Sequence, residues 1–494
     1  NLAWSAEDGL QVNGKTIKLR GGCVHHDHGI LGACAYDEAE YRRVKKLKEL
    51  GYNAIRYSHN PAGKNFLDAC DELGMYVLDE TFDQWKIPQS AYDYANYFDQ
   101  ACYFDSEWQQ DVKALVSKDY NHPCVIMYCI GNEITDTGLP FGATISKMLS
   151  NAFHAMDQTR PITIAINSML SVLAAKQAEK KAAEEKAAKE RAAKGETEVK
   201  KEKMAGSAEV NDIITLLPKI MASITPESLE ALIGECISHV DIVGYNYGQN
   251  LYEGTHKLAP ERVILSSETF PSRMDSNWDM VMAHDYVIGD FMWTAWDYLG
   301  EACIGDWTYH SYKGLPLLAG QGMIDITGKA LASMYYMQIV WGLRKKPFIA
   351  VSPLNHADET PTKGAWQFTN AIDSWSWEGY EGVKTTVEVY AAGESVRLFL
   401  NDRLIGCRRL KKFKSSFSLV YQPGVLRAEA LDTNGNVIAQ HFLGTAQKET
   451  ILWAEAEKKE LRANGQDLCY VPIEFTDKKH CLKPYIEKRV DIAV

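Results

Sequence analysis

The chain has 494 residues, of which 46% are hydrophobic and 24% are charged, values typical of a globular protein with two or three domains. Its 65 acidic side chains outnumber its 53 basic ones, and the net charge of −12 disfavours nucleic acid and anionic membranes as partners. No apolar stretch of the sequence approaches the roughly 20 residues that a membrane-spanning helix needs, which argues against a membrane protein.

The segment from about residue 10 to 345 alternates between predicted strands and helices. Helices are expected over Asp37–Leu50 and Asn65–Leu73, each followed by glycine, and over 106–120 and 144–157. Eight strands are expected between them, over Ile17–Gly21, Asn53–Tyr57, Met75–Leu78, Cys124–Glu133, Ile162–Ile166, Asp241–Tyr247, Val263–Glu268 and Phe291–Trp296. Strands separated by helices in this number predict an α/β fold, a (β/α)₈ TIM barrel.

We therefore assign residues 1–346 to a barrel domain with an insertion at about 168–235. Within the insertion, residues 174–203 are almost wholly Ala, Lys and Glu, which favours a solvated helix without an apolar face. Residues 347–447 alternate with period two and carry turn signals, which predicts an immunoglobulin-like β-sandwich. Residues 448–494 are expected to start a further immunoglobulin-like β domain that is truncated.

The cysteines indicate the compartment. There are 11, an odd number, and no pair has the spacing of a zinc ribbon. Several lie inside apolar segments, which favours buried free thiols in a reducing compartment. We therefore expect a cytoplasmic (bacterial) protein.

Two of the predicted strands end in a glutamate, Glu133 and Glu268. Because the strands of a parallel barrel end at one rim, both carboxylates are expected there, where such barrels build their active sites. Two carboxylates facing each other across a cleft are the minimum apparatus for hydrolysing a glycosidic bond. The alternative interpretation is that each glutamate merely ends a strand and meets solvent.

The strand ends carry a dense set of motifs, at Leu19–His28, Ala54–Pro61, Asp79–Glu80, Gly131–Glu133, Ser267–Thr269 and Trp293–Tyr298. Together they resemble glycoside hydrolase family 2, the group of β-galactosidases, β-glucuronidases and β-mannosidases. The resemblance is strong over residues 1 to about 345 and weaker behind them. Members usually begin with a jelly-roll and an immunoglobulin-like domain, which we expect to be lacking here, so that an isolated barrel would be weak in catalysis.

The resemblance implies a retaining exo-β-glycosidase, with Glu133 as acid/base and Glu268 as nucleophile. Retention requires carboxyl groups roughly 5–5.5 Å apart. The uronate-binding Asn-x-Lys motif is missing from Lys313–Gly322, which leaves a β-galactosidase as the leading hypothesis. A β-glucuronidase or β-galacturonidase, another family 2 β-glycosidase, an inverting hydrolase and a non-catalytic carbohydrate-binding scaffold remain as alternatives.

Several residues are expected to bind the substrate, an oligosaccharide or glycoside. Asn132 would hydrogen-bond the sugar 2-hydroxyl. Arg56 would hold Glu268 ionised, unless it forms a structural ion pair with Asp79 or Glu80. The other expected contacts are hydroxyl binding by His28, His59 and Asp297, a stacking floor at Trp296, and a role for Asp79 after the third strand.

Tyr245 and Tyr247 end the sixth strand, and the phenol of one of them is expected to reach Glu268. Strand alternation puts both tyrosines on one face and Asn246 on the other. No cofactor is expected, and no metal site: alternation separates Asp27 from His26 and His28, which does not form a tetrahedral set. A divalent or monovalent cation and homo-oligomerisation stay open.

Overall fold

The structure is a computed structural model that describes residues 1–87, 100–192, 223–301, 304–305, 307–310 and 317–493. They fall into two compact units. The first unit comprises Asn1–Asp27 and Leu47–Ala295, and the second comprises His28–Lys46 and Trp296–Val494. The domain bounds at residues 346 and 447 stay a prediction.

The first unit contains a closed parallel barrel of eight strands. Three short antiparallel strands precede it, namely β1 (Leu2–Ser5), β2 (Gly9–Val12) and β3 (Lys15–Ile17). The barrel strands follow as β4 (Leu19–Val24), β5 (Ala54–Tyr57), β6 (Tyr76–Glu80), β7 (Val125–Asn132), β8 (Ile162–Ile166), β9 (Ile242–Asn246), β10 (Val263–Thr269) and β11 (Val287–Met292). They pair in sequence order and close between β11 and β4, which confirms the predicted TIM barrel.

The bounds predicted for the first and eighth barrel strands are wrong. Strand β4 starts at Leu19, because the preceding residues form the separate strand β3. Strand β11 starts at Val287, although Gly289 and Asp290 interrupt its apolar pattern. Gly289 is needed there because a Cβ atom would lie 2.4 Å from Leu19 Cβ. Asp290 is buried and accepts hydrogen bonds from Thr269 and Asn277, so a polar residue is tolerated inside the strand.

Nine α-helices lie in the described ranges, and several follow their strands as expected. They are α1 (Asp37–Glu49), α2 (Lys64–Leu73), α3 (Phe104–Asp119), α4 (Gly142–Met156), α5 (Ser168–Ala192), α6 (Pro226–Ile237), α7 (Tyr252–Leu258), α8 (Met274–Ala283) and α9 (Ala332–Val340). Helix α5 is continuous, and its residues 176–186 are all exposed, as its Ala, Lys and Glu composition suggests. Residues 193–222 of the predicted insertion lie outside the described residues, and its last described part leads into helix α6.

The second unit holds antiparallel sheets around an apolar core. One sheet has three strands, β12 (Phe348–Val351), β13 (Lys384–Tyr390) and β16 (Lys414–Val420). The other has the order β15 (Arg403–Arg409), β14 (Ser395–Leu400), β17 (Val425–Leu431) and β18 (Val437–Gly444). Alternate residues such as Val387 and Leu398 point into a shared core with Trp375. Strands β19 (Ile451–Ala454) and β20 (Ile473–Thr476) pair with each other, and the antiparallel fold behind the barrel is as predicted.

Within the described ranges, no helix combines the length and the apolar character needed to cross a membrane. The ten cysteines of those ranges form no disulfide with one another, and five of them are buried. A cytoplasmic location stays a prediction.

Candidate active site

Glu133 lies directly after strand β7, where the chain turns out of the barrel. Its φ is +48°, a left-handed conformation that non-glycine residues seldom adopt and that is concentrated at functional sites. Its backbone N–H donates to the carbonyl of Ala165 at 2.8 Å, which anchors the turn to strand β8. The carboxylate atom Oε1 accepts from the side-chain amides of Asn167 at 2.8 Å and Asn246 at 3.0 Å.

These surroundings favour a protonated Glu133. Burial and the neighbouring negative charge of Glu268 raise the pKa of Glu133 to about 7, against the opposing effect of the two amide donors. A carboxyl group with a pKa near neutrality can donate a proton and later accept one. The geometry therefore suits a general acid and base.

Glu268 lies within strand β10, is 3% exposed, and has a different partner. Its Oε1 accepts from Arg56 Nη1 at 2.6 Å. Burial lowers the pKa of Arg56, but the charges of Glu80 and Glu268 raise it well above its usual value, so the guanidinium stays charged. A buried cation at this distance stabilises a negative charge on Glu268, as a nucleophile requires.

Arg56 also forms the ion pair that was the alternative interpretation. Its Nε donates to Glu80 Oε1 at 2.5 Å, and its Nη2 donates to Asn132 Oδ1 at 2.8 Å. Arg56 makes the contacts of both interpretations at once, because the planar guanidinium presents donors on several edges. That it keeps Glu268 ionised stays a prediction. Burial raises the pKa of Glu80, but the charge of Arg56 and the hydrogen bond from His59 lower it below its usual value.

The side-chain amides of Asn246 and Asn132, together with Arg56, connect the two glutamates. Asn246 Nδ2 donates to Asn132 Oδ1 at 3.2 Å as well as to Glu133. The hydroxyl of Ser267 donates to Asn246 Oδ1 at 2.7 Å, which fixes the orientation of that amide. Asn132 in turn donates to Asp83 Oδ1 at 3.0 Å. Sequence reasoning missed Asn246, although strand alternation had already separated it from the tyrosines.

Tyr245 and Tyr247 do not share the face that was expected of them. Tyr245 is fully buried away from the rim, with its ring 6.1 Å from that of Tyr252 in helix α7. Of the two candidates for a phenol contact with Glu268, Tyr245 is therefore excluded, because Asn246 takes the inward position and donates to Glu133. A contact of the Tyr247 phenol with Glu268 stays a prediction. Tyr247 follows the strand with φ +57°, its N–H donates to the Glu268 carbonyl at 2.7 Å, and its ring stacks on Phe270.

Of the two neighbouring carboxylates Asp79 and Glu80, Glu80 contacts Arg56, and Asp79, which was expected to bind the substrate, does not face the site. Asp79 is fully buried and accepts hydrogen bonds from the Ala62 N–H at 2.9 Å and from Lys118 at 2.9 Å, so its role is structural. Glu80, the next residue, points to Arg56 and to His59 Nδ1, which lies 2.9 Å from its Oε2. The alternation of a strand explains why only one of two neighbouring carboxylates can face the site.

His59 lies at the rim as expected, but its aromatic neighbour is Trp293. The two rings stack 5.1 Å apart at 2°, and His25 meets both of them edge-on. Burial lowers the pKa of His59, but the carboxylates of Asp83 and Glu80 together raise it to about 9. Trp293 is only 6% exposed, so its ring is largely packed against its neighbours, among them His59.

Three predicted residues belong to the second unit. His28 Nε2 lies 3.0 Å from the buried carboxylate of Glu40 and 3.1 Å from Arg43. Asp297 Oδ1 accepts the backbone N–H groups of Gly320 and Gln321, while burial raises its pKa to about 6. Trp296 is 4% exposed. The sugar contacts of these three residues stay predictions, and Lys313 lies outside the described residues.

A cavity of about 450 Å³ lies in the first unit, large enough for a sugar. Polar and aromatic residues line it, namely His25, His59, Asn60, Asp83, Gln84, Gln100 and Tyr103. Only His59 was predicted among them. The others stand on loops or, in the case of Gln100, in a short 3-10 helix, for which the sequence offers no periodic signal.

One group of potential metal ligands lies in the described residues, Asp71, His122 and Cys124. Asp71 already accepts from His122 Nδ1 at 2.7 Å and from the Cys124 N–H at 2.8 Å. Burial also raises the pKa of the Cys124 thiol, which opposes the thiolate that a metal needs. The group lies at the start of strand β7, opposite the end that carries Glu133.

Residues 6–204 match the family described as glycosyl hydrolases family 2, TIM barrel domain, and residues 382–439 match a domain of unknown function. A β-galactosidase of Bacteroides ovatus is 26% identical over 99% of this chain and 55% of that protein. A putative β-glucuronidase of Formosa agariphila is 26% identical over 99% of this chain and 43% of that protein. The chain thus spans about half the length of these relatives.

Two solved structures are also similar to nearly the whole of this chain. A glycosyl hydrolase family 2 member from Bacteroides cellulosilyticus has a TM-score of 0.77 and 34% identity, over 98% of this chain and 55% of that one. A β-glycosidase from Bacteroides vulgatus has a TM-score of 0.66 at 23% identity, over 98% of this chain and 57% of that one, a likeness of fold alone.

Proposed function

We propose a function from the premise that this chain belongs to glycosyl hydrolase family 2. We infer that it is the catalytic part of a retaining exo-β-glycosidase that releases terminal β-linked sugars, with galactosides as the preferred substrates. The observation that carries the proposal is the contrast between Glu133, whose pKa is raised to about 7, and Glu268, which is paired with Arg56. Two carboxyl groups in opposed environments are what double displacement requires.

In the first step, Glu268 attacks the anomeric carbon while Glu133 gives its proton to the glycosidic oxygen. The bond to the leaving group breaks, and a covalent glycosyl-enzyme forms at the Glu268 carboxylate. In the second step, Glu133, now ionised, takes a proton from water, whose oxygen attacks the same carbon. The sugar leaves with its original anomeric configuration, and both glutamates return to their starting states.

The amide network supports both steps. Asn246 and Asn167 donate to Glu133, and these bonds strengthen when Glu133 becomes ionised after proton donation. Asn132, whose Oδ1 accepts from Arg56, is oriented to meet the sugar 2-hydroxyl. The indole of Trp293, stacked on His59, offers an aromatic face for the C–H face of a pyranose.

The charge of the described site favours a neutral sugar. The carboxylates of Glu80, Asp83 and Glu268 lie among the site residues. Arg56 already donates to Glu80, Glu268 and Asn132, and His59 is held between Glu80 and Asp83. A uronate carboxylate would enter a site where negative charge exceeds positive charge, which disfavours glucuronides.

The test is covalent trapping. The chain is incubated with 2-deoxy-2-fluoro-β-galactoside, -glucoside and -glucuronide, digested, and examined by mass spectrometry. Fluorine at carbon 2 slows hydrolysis of the intermediate, so we expect a galactosyl label on the peptide that contains Glu268. A glucuronosyl label on that peptide would support the proposed mechanism but contradict the preference for galactosides. A folded chain that takes no label from any of the three sugars would contradict the proposal.

A further inference from the structure

The second unit contains a cavity of its own, with a volume of about 490 Å³. Four segments line it: the loop at Trp307 and Tyr309, residues 353–372, the sandwich residues Trp377 and Tyr380, and the C-terminal stretch Pro484–Glu487. We infer that this cavity binds one or two residues of a neutral saccharide, as a binding site additional to the catalytic site of the first unit.

Stacked aromatic rings line the cavity. Tyr309 stacks on His356 with a ring separation of 4.0 Å, and Tyr485 stacks on Trp377 at 5.7 Å. Tyr380 stands at right angles to both Trp377 and Tyr485. These contacts hold the rings in place before a ligand arrives, so little side-chain freedom is lost on binding. Flat aromatic faces with a polar edge suit the C–H face and the hydroxyl rim of a pyranose.

Hydrogen-bonding groups also line the cavity. Asn355 and Asn370 line the cavity with amides, of which Asn370 already donates to the Tyr309 hydroxyl, and Glu487 lines it with a carboxylate. Trp307 Nε1 is buried and lacks a hydrogen-bond acceptor among the described residues. A buried donor without an acceptor destabilises the folded protein, and a ligand hydroxyl that accepts its hydrogen bond removes that cost. A sugar supplies donors and acceptors around its whole rim, which matches this mixture.

The cavity lining carries little charge, which favours a neutral ligand. Glu487 is the only Asp, Glu, Lys or Arg side chain that lines the cavity in the described part of the chain. Lys363 does not line the cavity, but its Nζ lies 4.5 Å from the centre of the Trp307 ring, so the cavity has one cation beside it. A polyanionic ligand would find no excess of positive charge. The cavity volume falls within the range of small-ligand pockets and favours a short saccharide over an extended proline-rich peptide.

The experiment is calorimetric titration of the whole chain carrying Glu268→Gln, a substitution that prevents turnover. The neutral probes are β-1,4-galactotetraose, cellotetraose and xylotetraose; tetragalacturonate and a proline-rich peptide are the competing probes. We expect at least one neutral tetrasaccharide to give a binding event that Trp307→Ala weakens about tenfold. Asn355→Ala, a change at an exposed residue that leaves packing intact, should weaken the same event.

Phe442→Ala is the matched control, because Phe442 is 55% exposed in the same unit and does not line the cavity. It should leave binding unchanged, and Trp307→Ala in the otherwise unchanged chain should retain its hydrolysis of a small aryl galactoside. The inference is overturned if no neutral probe binds, if binding survives both cavity substitutions, or if only the anionic or peptide probe binds. Parallel loss of aryl galactoside hydrolysis in Trp307→Ala would also overturn it. Sugar binding here without any covalent trapping would refute the proposed catalysis and leave this site standing.

Discussion

Glu133 and Glu268 are the same amino acid at the ends of two strands of one barrel, yet their surroundings differ in kind. Glu133 receives two neutral amide donors, from Asn167 and Asn246, while burial raises its pKa to about 7. Glu268 receives the buried guanidinium of Arg56. The difference teaches that the role of a carboxylate is set by the side chains on neighbouring strands, and each of the following substitutions removes one part of that difference.

The largest effect is expected from Glu268→Gln, which removes the charge that Arg56 stabilises. Without a nucleophile the glycosyl-enzyme cannot form, and we expect kcat to fall by at least about 10⁴-fold. Steady-state hydrolysis of an aryl β-galactoside measures this loss. Glu235→Gln, an exposed glutamate on helix α6, is the control and should keep full activity. Retained turnover in Glu268→Gln would assign the nucleophile elsewhere.

The next effect is expected from Glu133→Ala, and it should depend on the leaving group. Proton donation is worth about 10²–10⁴-fold for a poor leaving group such as an alkoxide. Dinitrophenolate needs no proton, so formation of the glycosyl-enzyme from that substrate should be nearly unaffected. Pre-steady-state rates on alkyl and dinitrophenyl galactosides test this. Equal losses on the two substrates would argue that Glu133 is not the acid.

Arg56→Lys keeps a positive charge but removes the planar fork that reaches Glu80, Glu268 and Asn132 together. We expect kcat/KM to fall about 10²-fold, the usual loss for one preorganised donor. Arg160→Lys is the matched control, because Arg160 is also buried and paired, with Asp157, at the opposite end of the barrel strands. Both variants should be less stable in thermal unfolding. Equal activity losses in the two would reduce Arg56 to a structural residue.

The smallest effect is expected from Asn167→Ala, which removes one donor to Glu133 at 2.8 Å. The hydrogen bond favours the ionised form, so its loss should raise the pKa of Glu133 further above the value of about 7. In the proposed mechanism the first step requires protonated Glu133, so the alkaline limb of the pH profile should move upward by about one pH unit. A pH–kcat/KM series measures the shift; a limb that stays in place or moves to lower pH would contradict it.

Much of the fold followed from the sequence, because it depends on local patterns. Buried parallel strands read as continuous apolar runs, and glycine ends helices such as α2, where Gly74 has φ +71°. The rule that barrel strands end at one rim was enough to select Glu133 and Glu268. The apolar pattern failed to predict the start of strand β11, because Gly289 and Asp290 interrupt it. Both residues are tolerated there only through contacts with other elements, Gly289 with Leu19 and Asp290 with Asn277.

What only the tertiary structure decided is which side chain of each pair faces the site. The sequence offered Asp79 beside Glu80 and Asn246 beside Tyr245, and alternation alone does not say which member points inward. The choice depends on strand register and on partners far along the chain: Arg56 takes Glu80, and Ser267 orients Asn246 toward Glu133. The sequence by itself determined a barrel with two rim carboxylates, because periodicity and strand ends are local. The different surroundings of the two carboxylates arise from side chains on other strands, Arg56 for Glu268 and Asn246 for Glu133, which come together only in the folded barrel.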